Sequence, residues 1–208
     1  MERFSIVHRD ARLLVLEKPS GLLAVPGRGP HLKDCLASRV QQVFPTARVV
    51  HRLDRDTSGL MLMALDAEAQ RQLSQQFEQR LVHKVYECVV WGVPKKTVGL
   101  IDLPIGRDPD RPPRYRIDHE HGRSSQTHWR LAAPLGDRAR LVIKPITGRS
   151  HQIRLHVATI GHAILGDLLY ADEAAQAASG RLLLHARELA LAHPDDGRPI
   201  SWQSACPF

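Results

Sequence analysis

Cysteine is scarce in this chain. The three present, Cys35, Cys88 and Cys206, are far apart and odd in number, which argues against a disulfide framework and a Cys-x-x-Cys metal site. Long apolar runs are also missing. The longest, Leu60–Leu65, falls far short of the ~20 residues a membrane-spanning helix needs. The opening Met1-Glu2-Arg3-Phe4 has no basic segment leading into an apolar signal core. A soluble, cytoplasmic protein is therefore expected. Aromatics make up only 5%, too few for a broad stacking platform for single-stranded nucleic acid. No Gly-x-Gly-x-x-Gly or Gly-x-x-x-x-Gly-Lys-Ser/Thr occurs, so nucleotide cofactors lack their usual cradle. There is no Gly-x-Ser-x-Gly nucleophile elbow. Without His-Glu-x-x-His, and with His151 and His156 five apart, no metal site is expected.

What remains is an ordinary globular composition of 208 residues, 43% hydrophobic and 25% charged, enough for a substantial core. The net charge is +7 and the pI about 9.8. Residues 1–60 carry ten Lys/Arg against six Asp/Glu, and residues 105–154 carry eleven against five. Residues 61–104 balance at five of each, and residues 155–208 carry three against six. Two stretches thus hold the positive excess. Such a basic face attracts phosphate backbones and releases their counterions; a solvated surface that aids solubility is the plainer alternative.

Apolar periodicity predicts strands at Phe4–Val7, Leu13–Leu16, Leu60–Leu65, Val85–Trp91 and Ala139–Lys144. Pro26-Gly27-Arg28-Gly29-Pro30 reads as a loop. Leu32 to Phe44 and the stripe Leu65, Ala69, Leu73, Phe77 have helical spacing, the second with Asp66 as N-cap. Ser150–Ile160 is predicted as a helix stopped by Gly161. Residues 104–125, rich in Arg, Asp and Pro, read as an irregular basic arm. Strands outnumber helices without regular alternation, which favours an α+β mixed sheet. No repeat or linker divides the chain, so one domain over 1–208 is expected.

Chemistry concentrates in His51-Arg52-Leu53-Asp54-Arg55-Asp56-Thr57-Ser58-Gly59. The stretch from Asp56 to Gly59 is expected to form a turn satisfying its own backbone. Asp54, flanked by Arg52 and Arg55, suits a nucleophile or base, although spacing alone does not separate it from Asp56. A second segment runs from Lys144 to His156. There a strand end, the Thr147-Gly148-Arg149 turn and a helix start offer free N–H groups and two arginines to an anion. Arg154 is either an exposed, snorkelling side chain or a partly buried partner for Asp54. In a third segment, Lys84–Gly92, Tyr86 is either sheet packing or a stacking surface for an extruded base. Trp91 and Trp129 read as core.

Together these segments resemble the pseudouridine synthase family that includes the ribosomal large-subunit synthase A type. The resemblance also takes in Lys18-Pro19-Ser20-Gly21-Leu22, Gly99–Ile105, Gly161–Asp167 and Arg181–Ala186, nearly the whole chain. It implies a mixed, mostly antiparallel sheet with a basic central cleft, and no cofactor or metal. It makes Asp54 the catalytic carboxylate, with Tyr86 packed on the target base and Arg154 paired to that carboxylate. Arg52 helps fill the space left by the flipped nucleotide. Arg55, Arg114, Arg149 and His151 are the further residues placed for RNA binding. Lys18-Pro19 comes almost at the start, so no S4-like RNA-binding domain is expected before it. The short form is similar to the synthase A type, which implies a monomer acting on a hairpin of 23S rRNA and on the tRNA anticodon stem-loop. A tRNA-only synthase, a non-catalytic RNA-binding or chaperone protein and a base-releasing hydrolase are the rival readings.

Overall fold

The computed structural model describes residues 4–27, 29 and 32–208; Arg28 and Pro30 of the expected loop lie outside the described residues. In chain order the elements are β1 (Ser5–Arg9), β2 (Leu13–Lys18), α1 (Leu36–Gln41), β3 (Arg48–Val49), β4 (Ser58–Ala64), α2 (Ala67–Glu78), β5 (His83–Trp91), β6 (Val98–Asp102), β7 (Ile105–Arg107), β8 (Tyr115–Ile117), β9 (Gln126–Leu135), β10 (Arg138–Pro145), α3 (Gln152–Thr159), α4 (Glu173–Ala177), β11 (Leu184–Ala192) and β12 (Pro199–Gln203). They form two compact units. The first comprises the chain up to Lys84 together with His185–Pro207, and the second comprises Val85–Leu184 with Phe208.

In the first unit β2 lies antiparallel between β1 and β4. β3 pairs antiparallel with β4, β11 runs parallel to β4, and β12 closes against β11. Every residue of β4 is buried, which is why this strand reads as an unbroken apolar run rather than an alternation. Leu13, Val15, Leu60 and Leu62 pack with Ala69 and Leu73 of α2 and with Leu189 and Leu191 of β11. Burying such a side chain contributes about 1.5–3 kcal/mol. The Asp66 carboxylate accepts from Ala69 N–H at 2.9 Å, as its N-cap position predicts. The Leu32–Phe44 helix is shorter than expected. Cys35, in extended backbone, starts it at Leu36: its Sγ accepts from Ser38 N–H while Ser38 Oγ accepts from Cys35 N–H. That reciprocal cap satisfies two orphan donors and fixes the start four residues late.

In the second unit β10 pairs antiparallel with β5 and β9, and β9 with β6. Ile153 and Val157 of α3 pack onto Cys88, Val90, Leu141 and Ile143 of that sheet. Trp129 lies in this core, and Trp91 packs around Val89, Leu165 and Ala175. The 104–125 arm is not irregular throughout. β7 and β8 form a short hairpin, Ile105↔Ile117 to Arg107↔Tyr115, anchored by buried Ile105. The carboxylate of Asp118 accepts from Glu120 and His121 N–H and shapes the following turn.

Candidate active site

Asp54 sits on a loop built from local pins. Leu53 is buried beneath it, Arg52 and Arg55 are exposed, and Asp54 itself is half-buried. Thr57 N–H returns to the Asp54 carbonyl at 3.2 Å. The strongest pin is Lys18, whose side chain is fully buried. Its ammonium donates to the carbonyls of Pro19, Leu22 and Arg55 at 2.8, 2.7 and 2.8 Å. Gly21 N–H reaches the Arg55 carbonyl, and Arg55 Nε donates to the Gly21 carbonyl, both at 3.0 Å. Ser20 Oγ donates to the Asp56 carbonyl at 2.7 Å. The Lys18–Leu22 segment therefore fixes the backbone just after Asp54, at Arg55 and Asp56, since a buried cation is stable only when its donors are satisfied.

His51 secures the other flank. Its Nε2 accepts from Leu62 N–H at 2.9 Å, and its ring stacks on Phe77 with centroids 4.5 Å apart. Burial, reinforced by the nearby Lys84 charge, pushes its pKa down to about 3. It is a neutral acceptor near pH 7.

The stretch from Asp56 to Gly59 does not simply satisfy itself as a turn. Ser58 and Gly59 open β4. Ser58 Oγ hydrogen-bonds His185 Nδ1 at 2.9 Å. Gly59 has φ 112°, and a Cβ there would collide with the Ala186 carbonyl oxygen, so only glycine fits.

In the second unit Arg154 is buried. It holds Asp167 in a two-point pair, Nε to Oδ2 at 2.8 Å and Nη2 to Oδ1 at 2.6 Å. Asp167 also accepts from the N–H groups of Leu169 and Tyr170. Arg154 is buried rather than exposed and snorkelling, and Asp167 is a carboxylate partner that sequence reasoning missed. The planar fork locks the guanidinium orientation in a way a lysine could not. Tyr86 is half-buried on β5 opposite Ile143 and packs on the core. Arg149 donates its backbone N–H to Gln152 Oε1 at 3.0 Å. His151 stands at the N-cap of α3 in left-handed backbone, φ 57°, without capping the helix by its side chain. His156 is buried between Thr127 Oγ1 and the Leu103 carbonyl, and burial lowers its pKa. It serves the core. Arg114 places its guanidinium over the Tyr170 ring.

The fold these elements define is that of a pseudouridine synthase. The human RNA Pseudouridylate Synthase Domain Containing 1 superposes with a TM-score of 0.81 at 29% identity, covering 99% of this chain and 84% of that one. The human Domain Containing 4 protein, at 24% identity and TM-score 0.78 over 98% of this chain and 88% of its own, shares the fold. In sequence, the family of RNA pseudouridylate synthases matches residues 12–159. The Dual-specificity RNA pseudouridine synthase RluA of Yersinia pestis is 44% identical over 98% of this chain and 99% of its own length. Its Escherichia coli (strain K12) counterpart is 43% identical over 98% and 93%. The chain belongs to the RNA pseudouridylate synthase family and is an isomerase that forms pseudouridine in RNA. Among the described residues no helix is long and apolar enough to cross a membrane.

Proposed function

We propose that this chain isomerises uridines in two RNAs, a hairpin of 23S rRNA and the tRNA anticodon stem-loop, with Asp54 as the catalytic carboxylate. It acts as a single-domain cytoplasmic monomer without a cofactor. The observation that carries the reading is the loop of Asp54, held after Asp54 by the Lys18–Leu22 segment and before it by His51. A reacting carboxylate needs such fixed geometry. The dual specificity in the relatives' names supports a second RNA substrate.

Uracil must leave C1′, turn, and rejoin through C5, which then loses its proton while N1 regains one. Asp54 drives departure either by attacking C1′ or by taking the C2′ proton, and the displaced base stays in the pocket in both cases. Extruding the target nucleotide costs a few kcal/mol and is least costly in a loop. Tyr86 offers its ring to that base. Arg154, aligned by Asp167, supports the carboxylate. Arg52 fills the space left by the base, and Arg55, Arg114, Arg149 and His151 hold the RNA.

Nucleoside analysis of uridine-labelled tRNA and 23S transcripts after incubation tests this. Asp54→Asn is expected to abolish pseudouridine formation on both while leaving RNA affinity within about twofold, because an amide of the same shape neither attacks nor takes a proton. Product from the Asn variant overturns the role of Asp54. Product on tRNA alone reduces the reading to a tRNA-only synthase.

A further inference from the structure

One side chain of the second unit gathers groups from three separate segments. The Tyr170 hydroxyl accepts from Tyr115 N–H, on β8, at 2.8 Å. The same oxygen lies 2.8 Å from His151 Nδ1, at the start of α3. The Tyr170 ring is 5.4 Å from the guanidinium carbons of both Arg114 and Arg154. Its backbone N–H donates to Asp167 Oδ1, the carboxylate that grips Arg154. Tyr115 adds an edge-on contact to the His151 ring, with centroids 5.2 Å apart.

We propose that Tyr170 is a positioning residue that couples the basic β7–β8 hairpin to Arg154, so that seating the hairpin on RNA also sets the Arg154–Asp167 pair. The inference rests on the reading of the hairpin and Arg154 as groups that serve the RNA. The phenol oxygen receives the Tyr115 amide proton and shares a second hydrogen bond with His151 Nδ1, so one oxygen joins the hairpin to the start of α3.

His151 separates this role from ordinary packing. A non-glycine residue at φ 57° is strained. At a helix N-cap that position ordinarily goes to Ser, Thr, Asp or Asn, whose side chain caps the next turn. Here the side chain caps nothing and turns to the phenol. The left-handed backbone instead carries the imidazole to the Tyr170 hydroxyl.

Steady-state kinetics with anticodon stem-loop and 23S hairpin transcripts, alongside melting curves, test the coupling. Tyr170→Phe keeps the ring beneath both arginines but loses the hydroxyl. It is expected to raise KM about tenfold, the scale of one partly buried hydrogen bond, with kcat within about threefold. Tyr170→Leu removes the ring as well and is expected to lower kcat besides. His151→Gly keeps the left-handed backbone without strain and removes the imidazole. It is expected to reproduce the KM rise while Tm holds or rises, a combination that a merely structural role does not give. Unaltered KM in both Tyr170→Phe and His151→Gly, beside an active wild type, overturns the coupling alone. Losses in KM and kcat that track a fall in Tm overturn it too. A wild-type chain that forms no pseudouridine on either transcript removes the proposed function and the coupling with it.

Discussion

At residue scale, His51 holds its flank of the Asp54 loop only while uncharged, because its Nε2 must accept from Leu62 N–H. Burial and Lys84 place its folded pKa near 3 against an ordinary 6.5. The unfolded chain therefore takes up this proton first as pH falls. The stability contributed by neutral His51 is complete above about 6.5 and is lost progressively between 6.5 and 3, at no more than about 1.4 kcal/mol per pH unit for the one proton. Urea midpoints measured from pH 7 to 4.5 are expected to decline, and His51→Gln, which keeps an acceptor, to flatten the decline. Buried His156 shifts in the same direction, so part of the slope persists. The effect of Asp10 falls in a different window. Burial raises its pKa, but hydrogen bonds led by Arg12 N–H outweigh this and bring it to about 2, so its contribution is lost only below about 3.8. Residue by residue, the sequence revealed the groups whose chemistry clusters, such as Asp54 among its arginines. It concealed Lys18, Asp167 and Tyr170. A buried lysine looks like any surface lysine until the carbonyls that receive it are known, and carbonyls carry no residue identity.

Among the elements, the junction of β4 with β11 tolerates little change. Gly59 packs against the Ala186 backbone, and a methyl group there must separate the two strands. Gly59→Ala is expected to cost about 3 kcal/mol or more, a fall in Tm of roughly 6–12 °C for a chain of this length, read by calorimetry. The elements best read from sequence were those with a local signature, namely the capped stripe of α2 and the apolar run of β4. β9 is harder to see in the sequence, although Thr127 and Trp129 point inward and His128 and Arg130 outward in the two-residue period of a strand. The β7–β8 hairpin was hidden for a different reason. Its residues are charged and proline-rich, and its order comes from buried Ile105 and from the distant Tyr170 hydroxyl.

At the scale of the whole molecule, the positive excess of residues 105–154 falls within the second unit, where Arg107, Arg111, Arg116 and Arg123 are exposed on or beside the hairpin. The double replacement Arg116→Gln with Arg123→Gln is expected to weaken RNA binding. It should also lower the slope of log K against log salt by about 0.7–0.9 for each phosphate no longer neutralised, measured by filter binding from 50 to 200 mM salt. An unchanged slope would place those arginines off the RNA. The α+β class was legible from the strand excess and the resemblance. The two units were not, because their boundaries fall inside β5 and β11, where no glycine- or proline-rich linker marks them. That layout also orders the birth of the protein. The strand that finishes the first sheet emerges from the ribosome only after the whole 100-residue stretch Val85–Leu184 has been made, roughly 5–20 s at common elongation rates. Until then the start of β4, at Ser58 and Gly59, lacks its parallel partner, and an unpaired strand edge is the kind that recruits stray strands. A nascent chain stalled before His185 is thus the form of this protein most in need of a chaperone.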